Sequence, residues 1–189
     1  MLYYFVMYVT PGPNNAMVLT SGLKFGFQKT ITHILGITFG HIIQLILVCF
    51  GLGQVFLLFP NVQIVLKYIC AIYILYLGYK ILGSINPIID DDSRPLKLHE
   101  AALFQIVNPK AWTISSMAAS GFLQINDNLG IAILIIATTA LVICPLSITP
   151  WAMFGAAIRQ IVRNKNIKTI IEYSLAFFLL ITAILIVYN

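Results

Sequence analysis

Apolar residues fill this chain in long unbroken blocks, and the polar residues stand between the blocks rather than along one face of them. Residues 1–23, 30–66 and 128–158 contain no Asp, Glu, Lys or Arg. A soluble helix keeps a polar face along its whole length. A run of about 20 apolar residues is instead what a membrane-spanning helix needs. Charges, Pro and Asn divide the chain into six predicted spans at 1–22, 33–58, 62–83, 101–123, 129–157 and 167–188. Backbone groups in lipid must be satisfied within the segment, and no barrel-strand alternation is present, so the spans are predicted as helices. The joints are GLKFGFQKT, the Phe59-Pro60-Asn61 turn, the polar NPIIDDDSRPLKLHE, a short QINDN and the basic RQIVRNKNIK.

Composition turns this pattern into an exclusion. Of 189 residues, 60% are hydrophobic and 9% charged, with a mean hydropathy of +0.94. Soluble domains are nearer about 25% charged, and a chain of this length cannot hide so much apolar surface in one core. A soluble enzyme, a nucleic-acid binder and a disulfide-stapled secreted domain are excluded; the partner of most of the surface is the lipid bilayer. The net charge of +5 therefore records orientation, not nucleic-acid binding. Lys24, Lys29, Lys80, Arg94, Lys97, Lys110, Arg159, Arg163, Lys165 and Lys168 fall at the joints after spans 1, 3 and 5 or at adjoining helix ends, and only Lys67 falls on the other side. Ten cations against one place those joints in the cytoplasm and both termini outside. Cys49, Cys70 and Cys144 lie in apolar runs and read as packing residues. The N-terminus has no basic segment before its apolar stretch, so no cleavable signal peptide is expected.

The two halves of the chain resemble each other. Thr10-Pro11 and Asn108-Pro109 stand 98 residues apart, and the same shift lays span 2 on span 5. Three spans per unit is an odd number, so the second copy enters from the opposite face: an inverted 3+3 repeat, with repeat A at 1–85, a cytoplasmic loop at 86–99 and repeat B at 100–189. Transporters are often built this way, with the substrate site near the midplane where the copies meet.

The motif Thr10-Pro11-Gly12-Pro13-Asn14 interrupts the first apolar run. Each proline removes a backbone donor and clashes with the preceding turn. Nine residues at 1.5 Å each put this break roughly 13 Å from the start, close to the middle of a ~30 Å hydrocarbon core. Asn108-Pro109-Lys110 lies at a comparable depth from the cytoplasmic edge. Thr and Asn are N-cap residues and Pro suits the first helical position, so each motif predicts a new half-helix starting inside the membrane. Helix N-termini bind anions such as carboxylates, and Lys110 adds a full positive charge. The other reading is a pair of proline kinks with Lys110 snorkelling to the inner interface.

These stretches, together with SGLKFGFQKT, LGITFGH, FGLG, AIYILYLGYKIL and FQIVNPKAW, resemble the LysE/RhtB family of bacterial amino-acid exporters in order and spacing along nearly the whole chain. The resemblance implies six spanning helices in the inner membrane, outward transport of an amino acid, and coupling to the proton gradient. It places the substrate motif on Thr10, Pro11, Gly12, Pro13, Asn14, Asn108, Pro109 and Lys110. Members of that family carry a longer apolar lead before TPGP than the nine residues here, so either the start lies late or helix 1 barely reaches the outer face.

Weaker signals remain. His41 in span 2, with Gln44 nearly one turn on, reads either as a proton relay or as a histidine hydrogen-bonded between helices. Glu172, four residues after Lys168, reads either as an interfacial ion pair or as a second proton-coupling carboxylate. His33 is expected at the inner interface, and Asp90-Asp91-Asp92 in a solvated loop. Gly22/Gly26, Gly36/Gly40, Gly51/Gly53 and Gly155 permit close helix contact. Tyr3, Tyr4, Tyr8, Trp151 and Tyr188 are read as an interfacial belt. No metal set, cofactor motif or catalytic acid–base group stands out, so no enzyme activity is expected. The sequence thus points to an amino-acid exporter working by alternating access. An inorganic-cation exporter or a non-transporting interaction protein are the alternatives, and homo-oligomer formation is left open.

Overall fold

Eight α-helices hold nearly all the residues that the computed structural model describes, which are 2–52, 58–82, 94–123, 128–161 and 165–188; no strand occurs among them. They are α1 (Leu2–Val9), α2 (Pro13–Phe25), α3 (Phe27–Leu47), α4 (Pro60–Ile81), α5 (Leu98–Val107), α6 (Pro109–Phe122), α7 (Leu129–Ile161) and α8 (Lys165–Tyr188). A π-helical turn at Val48–Leu52 extends α3. Three stretches, Phe27–Gly51, Leu129–Arg159 and Thr169–Tyr188, are long and apolar enough to cross a bilayer, and Ile64–Tyr79 and Leu98–Val107 are shorter apolar helices. Leu134, Ile135 and Leu146 on α7 and Ile170 and Phe177 on α8 are all exposed. Such a surface suits acyl chains rather than water. The chain is a multi-pass membrane protein.

Helix ends follow local chemistry. The predicted spans 62–83, 129–157 and 167–188 match α4, α7 and α8 to within four residues. Span 33–58 starts earlier than expected, at Phe27. Gly26 turns the chain from α2 into α3 in a single residue, at a φ of +84° that L side chains rarely adopt. Gln28, Lys29 and Thr30 are therefore helical rather than part of a joint. The residues of spans 1–22 and 101–123 lie in α1 and α2, and in α5 and α6. Asp90, Asp91, Asp92, Asp127 and Arg163 lie outside the described residues.

Three pairings build the bundle: α2 lies against α7, α3 against α5, and α4 against α8. Two of them rely on glycine. A Cβ on Gly22 would press on the carbonyl oxygen of Ala152, and one on Gly155 would press on that of Leu19. Gly36 and Gly40 meet the backbones of Leu98 and Ala102 in the same way. Lipid tails are as apolar as Leu, so helices in a membrane gain by dispersion from such close approach. The interior is also unusually polar. Asn15, Thr30, His33, Thr38, His41, Gln44, Gln105, Asn108, Ser115, Ser147 and Glu172 are all buried. Uncharged groups of this kind hydrogen-bond between membrane helices, whereas ionisable ones such as His33, His41 and Glu172 are costly there.

Candidate functional site

Between α1 and α2 the chain gives up its helix for three residues. Pro11 and Pro13 lack N–H groups, Gly12 is extended at the N-cap, and Pro13 takes the first helical position of α2. Thr10 does not cap α2, as its residue type suggested, because the helix starts three residues later. Its hydroxyl donates to the Met7 carbonyl (3.0 Å) instead. The open carbonyls at the end of α1 are met by Asn15, whose Nδ2 donates to the oxygens of Tyr8 (3.0 Å), Val9 (3.3 Å) and Thr10 (2.8 Å). Between α5 and α6 the geometry is more regular. Asn108 is extended (ψ 104°), its Oδ1 accepts from the Lys110 backbone N–H at 3.1 Å, and Pro109 opens α6.

The Lys110 side chain joins these two places. Its Nζ donates to the Thr10 carbonyl (2.6 Å), the Thr10 hydroxyl (2.8 Å) and the Pro11 carbonyl (3.3 Å). An ammonium has three donors, and all three are engaged. The charge rests at the C-terminal, negative end of α1, which stabilises it. Gly12 leaves room for this approach, since a Cβ there would stand 2.7 Å from Lys110 Cδ and the lysine stem would have to shift. The N-terminal ends of α2 and α6 thus come together around one cation.

Behind the cation lies an amide lattice. Asn14 Nδ2 donates to Gln105 Oε1 (3.0 Å) and Gln105 Nε2 donates to Asn14 Oδ1 (3.1 Å). Gln44 Nε2 donates to the Gln105 carbonyl (3.0 Å), which brings α3 into the same network. His41 is fully packed, its ring edge-on to the Tyr8 ring with centroids 5.3 Å apart. His41, Asn14, Asn108 and Lys110 share a small cavity of about 20 Å³, large enough for one water molecule.

Two larger cavities flank the lattice. One, of about 660 Å³, is bounded by Pro11, Gly12, Pro109 and Lys110 on one side and by Lys67 and the Phe178–Ile186 face of α8 on the other. No carboxylate lines it among the described residues. The other, of about 320 Å³, lies at the opposite end of α2, bounded by Ser21, Lys24, His33, Tyr73, Arg94 and Glu100. At its rim Arg94 donates to both Glu100 carboxylate oxygens at 2.6 Å. This bond and the Lys97 backbone N–H (2.8 Å) hold the Glu100 carboxyl down at about 2, and the pair raises the Arg94 pKa.

The structure therefore brings Thr10, Pro11, Gly12, Pro13, Asn14, Asn108, Pro109 and Lys110 to one place, with His41 beside them. Glu172 is buried on α8 but borders none of the three cavities. His33, expected at the inner interface, shares the second cavity with Lys24 and Arg94 and is 2% exposed there. Tyr4 and Tyr8 are interior residues rather than part of a belt, their rings stacked 5.6 Å apart. Sequence reasoning passed over Asn15 and Gln105, and took Gln44 only as a neighbour of His41. A polar amide inside an apolar run was the available signal for all three. Among the described residues no three His, Cys, Asp or Glu side chains converge as metal ligands.

Apolar helices with a half-buried cation at their ends, and a cavity on either side of the Asn14–Gln105 pair, suit a membrane transport protein. The chain belongs to the LysE type translocator family, which it matches over residues 5–189. It is 30% identical over 141 residues to the cysteine/O-acetylserine efflux protein of Salmonella typhimurium, covering 70% of this chain and 71% of that protein. It is 26% identical over 169 residues to the leucine efflux protein of an Enterobacter species, covering 86% of this chain and 80% of the relative. No solved structure matches the chain.

Proposed function

We propose that this chain exports amino acids or close derivatives across the bacterial inner membrane by alternating access around Lys110, coupled to the proton gradient. One observation carries the reading: the Lys110 ammonium lies where two helix N-termini meet, on a cavity whose described lining holds no carboxylate. That environment favours an anion, and the α-carboxylate is the group that all amino acids share. The efflux of cysteine, O-acetylserine and leucine by relatives agrees with it.

In this reading α1 with α2, and α5 with α6, each make one crossing, giving six in an inverted 3+3 repeat with both termini outside. Its support is the pairing of helices. Crossing 1 packs on α7 and crossing 4 packs on α3, while α4 packs on α8; exchanging two similar halves leaves that arrangement unchanged. An incoming carboxylate carries full charge and is a stronger partner for Lys110 than the Thr10 carbonyl. Exchanging one for the other releases α1 from α6, and so couples substrate binding to relative movement of the halves. His41 shares the small cavity with Lys110 and is the leading group for proton coupling. Glu172 is the second, from further along α8.

Export itself is the test. Cells loaded with a dipeptide should release the amino acid faster with the gene than without it; no faster release for any of a broad panel sinks the reading. Pro11→Ala and Asn108→Ala should each impair release, whereas tolerance of both would favour a non-transporting interaction protein. Nothing at the site favours inorganic-cation export, for which metal-sensitivity growth is the check.

A further inference from the structure

His33 lies at the inner, cation-rich cavity, and both its ring nitrogens lack a hydrogen-bond partner although the residue is 2% exposed. Native proteins rarely leave buried polar atoms unmet. The neighbouring hydroxyls have their protons committed elsewhere, and none lies within hydrogen-bond distance of the ring. Thr30 Oγ1 donates to the Gly26 carbonyl (2.9 Å), Ser21 Oγ pairs with Thr30 Oγ1 (2.9 Å), and Thr20 Oγ1 donates to the Ala16 carbonyl (2.8 Å). A neutral imidazole offers one donor and one acceptor, so it suits a ligand that carries one of each. The rim has the same dual character, since Arg94 and Glu100 present a positive and a negative head side by side with side chains 52% and 29% exposed. Met17 and Leu77 supply an apolar wall. A volume of about 320 Å³ is within the range of small-molecule sites, about 300–1,000 Å³.

We propose that this cavity is a loading site for a zwitterionic α-amino acid, distinct from the Lys110 site, with His33 hydrogen-bonded to the ligand. The inference rests on the exporter reading and adds a second station to it. The two stations are separate along both helices that border them. On α2, Asn14 stands between Pro13 of the outer cavity and Met17 of the inner one; on the other wall, Gln105 stands between Glu100 and Pro109. The Asn14–Gln105 amide pair is the barrier between them.

The test uses the full chain in phospholipid nanodiscs with isotope-labelled histidine. Ring signals of His33, His41 and His99 are assigned by substitution to Gln, and L-leucine and L-cysteine are titrated in turn. The His33 signal should shift saturably with at least one of them, and should still do so in Lys110→Met. In inside-out vesicles His33→Leu should raise KM about tenfold, the loss of one hydrogen bond to a charged ligand, with Vmax little changed. His33→Gln, which keeps a donor and an acceptor, should recover most of the affinity. A His33 signal unmoved by both amino acids, with water alone filling the cavity, overturns the loading site and leaves the exporter reading intact if vesicles transport. An unchanged KM in His33→Leu overturns it too. A saturable shift without transport of any amino acid supports the site and overturns the exporter.

Discussion

The Lys110 ammonium and the Thr10 carbonyl oxygen are 2.6 Å apart, across 100 residues of chain. One belongs to the first turn of α6 and the other to the chain just past α1, so a single side chain ties the two interrupted segments together. Lys110→Met keeps most of the apolar stem that fills the space beside Gly12 and removes the charge. Export should fall at least about tenfold, as expected for losing charge-assisted contacts of ~1.5–3 kcal/mol, while membrane abundance stays the same. Efflux rates normalised to protein in the membrane provide the check. Unchanged export would leave Lys110 a structural tie only.

Asn14 and Gln105 exchange two hydrogen bonds at 3.0 and 3.1 Å. Replacing either with Leu leaves a buried amide half-paired, at a cost of ~1–3 kcal/mol each. Replacing both removes the polar groups together, so the double variant should be more stable than the sum of the single losses predicts. Thermal unfolding of the purified chain in detergent measures all three; strict additivity would show that the two amides are not coupled.

How much of this was legible beforehand varies with the kind of signal. The apolar blocks were visible because lipid leaves few other solutions, and Pro11, Pro13 and Pro109 mark helix ends through their missing N–H groups. Asn108 behaves as its residue type predicts. Thr10 does not, since two prolines moved the start of α2 beyond its reach. Tyr4 and Tyr8 were misread because their position near the start of an apolar run resembles that of a belt, whereas their facing direction depends on where α3 and α7 lie. The Asn14–Gln105 and Lys110–Thr10 contacts join residues about a hundred positions apart, and no local pattern encodes such a partnership.

Gly22 offers a packing test with an internal control. Its missing Cβ is what allows α2 to touch the Ala152 backbone of α7. Gly22→Ala should force the helices apart and cost ~1–3 kcal/mol, read as a lower melting temperature and reduced abundance. Gly121 on α6 has open space where a Cβ would sit. Gly121→Ala should stay within about 0.5 kcal/mol of the parent or stabilise the helix slightly. Equal losses at both positions would contradict the close α2–α7 contact.

The rim pair and the buried histidine predict opposite pH behaviour. Glu100 has an ordinary value of 4.5 and is held at about 2 by Arg94. A depressed carboxyl contributes stability that is present above its unfolded value and is lost only as pH falls through the folded one. Glu100 therefore stays charged across the range of about pH 5–8 in which a histidine changes state. Glu100→Gln can lower export, but by the same factor at every pH in that range, giving a profile parallel to the parent. If His41 carries the coupled proton, His41→Gln should flatten the profile instead. Export measured at several pH values for the parent and both variants separates the two. A flattened profile in Glu100→Gln would place the titrating group at the rim, and an unchanged slope in His41→Gln would remove His41 from proton coupling.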